Sequence, residues 1–187
     1  MGGSQSHRIL SKDRQPELFK QPRFVQPLLK EWAAVSKRDR LNFASFKAYF
    51  LPYAPDGLAS TLFAVYAKHH QTKQWSFDDF QEFTYFVDTR DARLAVVLFE
   101  MFVPVEVNGI RVIKSLEVRR CALVWFEEQM PESVFGMEGK EIDVKQFEIV
   151  LNSSAKQYKT FSWIFEINSP YKNVPPIVLT NELNLNV

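Results

Sequence analysis

The stretch Trp75 to Phe86, WSFDDFQEFTYF, sets a pattern that the rest of the chain repeats. An apolar anchor is followed by a polar residue, then Phe77 and two acids, and then a helical run carrying Phe80 and Phe83 on one face. The same order recurs where Leu41 opens LNFASFKAYF, Ile113 opens IKSLEVRRCAL and Ile142 opens IDVKQFEIVL. The four anchors are about 34, 38 and 29 residues apart, the scale of a supersecondary repeat.

Each anchor has a helix before it. Phe24, Leu28, Leu29 and Trp32 predict an amphipathic helix over 24–35. Phe46, Tyr49 and Phe50 mark the helix that follows, limited by Pro52. Asp56 reads as the cap of a helix with Leu58, Leu62, Phe63 and Tyr66 on one face. The loop KHHQTKQWSFDD leads to a helix from Phe80. Thr89 or Asp91 starts the next, through Leu94, Val97, Leu98, Phe99 and Phe102. Residues 103–112 read as irregular, with Asn108-Gly109 as a turn. Ile113 to about Met130 reads as a bridge plus helix that Pro131 ends. The fourth entering helix has room for one turn, Glu132 to Phe135, and its exit helix runs to about Leu151. Tyr158 to Ile167 predicts a final helix, and the prolines after Ser169 an extended tail.

The expected class is therefore all-α: two lobes of paired helix-loop-helix units. The divisions are a basic arm over 1–22, a first pair over 23–88, a second over 89–168 and a tail over 169–187. Composition agrees: 17 Phe against 6 Gly favours packed helices over a loop-rich β-sandwich. A single cysteine excludes an internal disulfide framework and fits a reducing cytoplasm. A net charge of +1 argues against a general nucleic-acid binder. No apolar run is long enough to span a bilayer, and residues 1–40 lack the apolar core of a secretory signal.

MGGSQS matches the acylation pattern M-G-x-x-x-[ST], which makes Gly2 a candidate for N-myristoylation once Met1 is removed. One myristoyl chain binds membranes only marginally, with an association constant on the order of 10⁴ per molar, so a second signal is needed. Residues 1–40 hold nine Lys or Arg against four acids, which leaves the remainder net acidic. Arg8, Lys12 and Arg14 are the bases nearest Gly2. Each base near an anionic leaflet adds about 1 kcal/mol. The expected location is cytoplasmic and peripheral to a membrane.

On the four exits LNFASF, WSFDDF, IKSLEV and IDVKQF, the short linker between the first two units and the acylation signal, the chain resembles the neuronal calcium sensor type of EF-hand protein over about residues 1–167. It is also similar to the myristoylated, degenerate EF-hand modules that open some TLDc-domain proteins and one large ubiquitin-specific protease. The resemblance implies EF-hand-like units with short β-bridges between their loops.

The metal ligands of that family do not carry over. A calcium loop needs oxygens at positions 1, 3, 5 and 12 and Gly at 6. The first loop offers Ala34, Ser36, Arg38 and Ser45, with Asp39 in place of Gly; the second offers Lys68, His70, Thr72 and Asp79. The third comes nearest, with Glu106, Asn108 and Glu117, but Ile110 occupies position 5. Phe135 and Gln146 stand at the ends of the fourth. No metal cofactor is expected.

Other chemistry is sparse. His69 and His70 sit adjacent in a polar loop without zinc spacing. Cys121 lies among Val118, Leu123 and Val124 and reads as a structural thiol. Asp78 and Asp79 suit the first turn of a helix. No phosphate loop or nucleophile elbow occurs, so no enzyme is expected. The aromatic residues Trp32, Phe46, Tyr49, Phe50, Phe63, Tyr66, Phe80 and Phe83 are candidates for a groove that takes a partner's amphipathic helix. The expected function is a non-catalytic, membrane-associated adaptor that does not bind calcium. The alternatives are a residual calcium sensor using the third loop, or a regulatory module related to a longer chain.

Overall fold

A computed structural model describes residues 22–67, 74–89, 93–136, 139–154 and 157–168. Gly2, Arg8, Lys12, Arg14, Lys68, His69, His70, Thr72 and the tail from Ser169 lie outside the described residues.

Helices alternate with short loops. The first pair of units consists of α1 (Pro22–Val35), α2 (Phe43–Phe50), α3 (Asp56–Ala67) and α4 (Phe77–Thr89). The second consists of α5 (Arg93–Met101), α6 (Ser115–Phe126), α7 (Glu132–Phe135) and α8 (Val144–Ser154). A short α9 (Lys159–Ser162) continues into a 3-10 turn over Trp163–Glu166. The mainly helical class stands, with one addition: β1 (Val105–Val107), β2 (Ile110–Lys114) and β3 (Glu141–Asp143) form an antiparallel sheet in that order.

Several boundaries move from those expected. Helix α4 begins at Phe77, three residues before Phe80, because Ser76 caps it. Asp56 lies inside α3 and pairs with Lys47; the first turn hangs instead from the Pro55 carbonyl, which accepts the Ala59 N–H at 3.0 Å. Helix α6 stops at Phe126, short of Met130. Glu127 there adopts a left-handed conformation at φ 54°, and the N–H groups of Glu127 and Glu128 bond back to Leu123 and Ala122. The Glu128 carboxylate then accepts the Lys159 and Thr160 N–H groups at 2.8 and 2.9 Å. That cap fixes the start of α9 against the end of α6.

One buried cluster runs through both halves, from Leu28 and Trp32 to Phe161 and Ile167. Helix α3 packs on α5 and α5 on α8, so the two pairs share a core. Trp75 is its centre in the first half. The ring lies 4.6 Å from Phe46, 4.7 Å from Tyr66 and 5.3 Å from Phe83, centroid to centroid, and stacks on Phe63 at 5.6 Å. Its indole N–H donates to the Phe63 carbonyl at 3.0 Å, so the ring is buried without an orphaned donor. Phe135, Phe147 and Phe161 meet in the second half.

Candidate functional site: the paired loop ends

The four repeated anchors meet two by two. Leu41 and Trp75 exchange both backbone hydrogen bonds at 3.0 Å as an antiparallel bridge. Ile113 stands opposite Ile142 in the β2–β3 ladder. All four side chains are buried. The apolar residue thus joins neighbouring loops through its backbone and seals the core beneath them with its side chain.

The next residue starts a helix. Asn42 accepts the Ser45 N–H at 2.9 Å, and Asp143 accepts that of Gln146 at 2.8 Å. Ser76 and Asp79 cap each other's backbone: the carboxylate accepts the Ser76 N–H and hydroxyl, each at 2.7 Å, while the Ser76 oxygen accepts the Asp79 N–H at 3.3 Å. Asp79 is 3% exposed. The carboxylate four residues after the anchor is therefore bound to its own helix start. Asp78 beside it is exposed. At the third exit Lys114 offers no side-chain cap, and Glu117 pairs with Arg120 at 3.3 Å.

The first and third loops are tight. Between α1 and α2, Arg38 and Asp39 take φ of 53° and 56°, while Lys37 and Arg40 exchange hydrogen bonds on either side. This is a two-residue turn that closes the loop without a metal. The stretch 103–112, read as irregular, is instead the β1–β2 hairpin. Asn108 and Gly109 at φ 50° and 78° are its turn, and Val107 pairs with Ile110. Both central positions of such a turn need positive φ, which Asn and Gly supply. The three metal candidates of this loop stand on three different elements. Glu106 lies exposed on β1 opposite Arg111, Asn108 forms the turn, and Glu117 belongs to α6. Arg111 reaches back to α5 and grips the Glu100 carboxylate with both guanidinium arms. Among the described residues no group of three or more His, Cys, Asp or Glu gathers as a metal would require.

The eight groove candidates are brought together, but inward. Trp32, Phe46, Phe50, Phe63, Tyr66, Phe80 and Phe83 are all buried, and Tyr49 is partly so. Phe50 alone touches Phe46, Tyr49, Trp75, Phe80 and Phe83. Helical spacing put these rings on one face, and that face is the core. The expectation of an open groove lined by them is corrected here, because seven of the eight rings are buried and only Tyr49 is partly open.

No family model, curated protein or solved structure matches the chain.

Two titratable groups near these elements are perturbed. Burial raises the Tyr49 hydroxyl above its ordinary range, and Glu31 beside it adds to the effect. Burial likewise pushes the Cys121 thiol up to about 11, with Glu117 adding and Arg120 opposing. Cys121 is only partly buried, against the expected core thiol, yet it packs on the cluster. The caps Asn42, Ser76 and Asp143 were missed as a set. Their shared signal is a short polar residue directly after three of the four anchors, with the N–H three positions later as its partner.

Proposed function

We propose that the chain is an N-myristoylated, calcium-independent adaptor built on two pairs of EF-hand-like units. One observation carries the reading. The anchors pair as Leu41 with Trp75 and Ile113 with Ile142, while Asp79, at a loop's last ligand position, serves as a helix cap. The first and third loops close by two-residue turns and the anchors pair through their backbones, contacts that need no ion to hold them. A ligand shifts an equilibrium only by its differential affinity for two states, so calcium has no lever here.

In this reading the acyl group on Gly2 and the bases Arg8, Lys12 and Arg14 hold the chain on an anionic cytoplasmic leaflet. Among the described residues no helix is long and apolar enough to cross a membrane. The aromatic cluster is scaffold, and a protein partner meets side chains outside it. The chemistry is binding rather than catalysis.

The test is flotation on liposomes with and without phosphatidylserine, in calcium and in chelator. The chain is produced with and without an N-myristoyltransferase. Flotation that needs both acyl group and acidic lipid, and ignores calcium, is the expected result. Equal flotation of the unacylated form would remove the anchor, and a calcium-dependent change would restore the sensor reading.

A further inference from the structure

The α2–α3 connection, the end of α6 and the last helical turns enclose an open cleft of about 420 Å³. Tyr53, Pro55, Trp125, Phe126 and the buried Trp163 line it, with two acids, Glu127 and Glu166, and one base, Lys159, exposed among its lining residues. Three features show how it is built. Tyr53 is 97% exposed, in a turn closed by the Ala54 N–H on the Leu51 carbonyl. Trp125 packs against Gly57 so closely that a Cβ there would meet its ring at 3.3 Å. Trp163 is fixed by its indole N–H, which donates to the Thr160 carbonyl at 2.9 Å.

Aromatic faces of this kind, with acids beside them, suit proline rings in an extended polyproline conformation next to a basic side chain. Asn168, directly before such a sequence, is held at the end of α2. The Asn168 N–H donates to the Phe50 carbonyl at 3.0 Å, three positions before Tyr53. The sequence that follows is SPYKNVPPI, with Pro170, Pro175, Pro176 and Lys172. At about 3.1 Å per residue, the run from Ser169 to Pro175 reaches roughly 20 Å, enough to lie across the cleft.

We propose that this cleft is the docking site of the chain's own segment Pro170–Pro176, prolines against the aromatic faces and Lys172 toward the acids. The inference goes beyond the adaptor reading and stands without the acyl group. A tethered segment has an effective concentration on the order of millimolar, so a weak contact is enough to keep it in place. A partner using the cleft must displace it.

The experiment titrates a labelled synthetic peptide of residues 169–178, SPYKNVPPIV, into the full chain and follows fluorescence anisotropy. Three forms are compared: the wild-type chain, the chain carrying Pro175→Ala and Pro176→Ala, and that double variant with Tyr53→Ser added. With the internal copy weakened, the double variant should bind the probe at least about tenfold more tightly than wild type. This is the ratio that a millimolar effective concentration gives against a probe Kd of about 100 μM. Tyr53→Ser should then weaken binding by about tenfold or more, with circular dichroism unchanged because that side chain is exposed. Equal binding by wild type and double variant overturns the proposal, as does binding by neither. Binding that survives Tyr53→Ser overturns the cleft as its location.

Discussion

Replacing Asp79 by alanine separates a capping carboxylate from a metal ligand. The carboxylate accepts two hydrogen bonds at 2.7 Å from Ser76 and sits in the first turn of α4. Losing a cap of this kind costs about 0.5–2 kcal/mol, and losing a negative charge at a helix N-terminus about 0.3–1 kcal/mol. The sum, about 1–3 kcal/mol, is a drop in Tm of about 2–12 °C for a chain of this size. Ser76→Ala should cost about 1 kcal/mol. The two residues cap each other, so the double variant should lose less than the sum of the singles. The assay is thermal and urea unfolding of each form, in chelator and in 1 mM calcium. A calcium site with micromolar Kd would add about 4 kcal/mol under those conditions. The expectation is no added stability in wild type and the same Asp79→Ala loss in both buffers. A loss seen only in calcium would show that Asp79 is a ligand and that the cap is secondary.

Phe50→Ala removes a fully buried ring that touches five others and should cost about 3–5 kcal/mol, read by urea unfolding and near-UV circular dichroism. Val103 holds φ 52° between α5 and β1 and is exposed, a conformation costly for a β-branched residue. Val103→Asn should therefore stabilise by about 1 kcal/mol, and an unchanged Tm would refute that strain. Gly109→Val should cost about 1–2 kcal/mol because the hairpin needs φ of 78° there. The Cys121 thiol stays protonated in the folded chain up to about pH 11, whereas an unfolded thiol ionises near pH 8.5. Its contribution to stability is complete below the unfolded value and is lost as pH rises through the folded one. Alkylation by iodoacetamide should be slow at pH 8 in the native chain and fast in urea; rapid native alkylation at pH 8 contradicts the raised pKa.

Much of the fold was legible because one device is written four times. An apolar residue, a polar residue (short at three of the four) and a helical run mark each exit, and the structure pairs the apolar ones as Leu41 with Trp75 and Ile113 with Ile142. What stayed hidden depended on turns. Asn108-Gly109 was visible as a turn, but Val105 to Val107 is too short to show alternation, so the hairpin read as irregular. Arg38-Asp39 carries no glycine, and only the closed geometry of Lys37 and Arg40 makes it a hairpin turn. The aromatic candidates failed for a different reason. Spacing tells which rings share a face, and it cannot tell whether that face meets another protein or the chain's own next helix. The cleft around Tyr53 and Trp125 was invisible because its walls come from three separate parts of the sequence.

The closed loops and the ring cluster imply each other. In a helix-loop-helix unit held by an ion, the carboxylates must remain free to turn toward it, and the helices change angle as it binds. Here Asp79 is bound to Ser76, and Asp143 holds the Gln146 N–H. The core beneath the first bridge, Trp75 with Phe46, Phe63, Tyr66 and Phe83, is packed ring against ring. Opening those helices would expose several rings at once, each worth about 1.5–3 kcal/mol of burial. No hydrogen bond released at a cap returns that much. Among the described residues of the first half, a change of state that separates these helices is therefore costly, and one that uses surfaces already open is not. Among the described residues, Tyr53 in the cleft wall is such a surface, because its ring is 97% exposed and packs in no cluster.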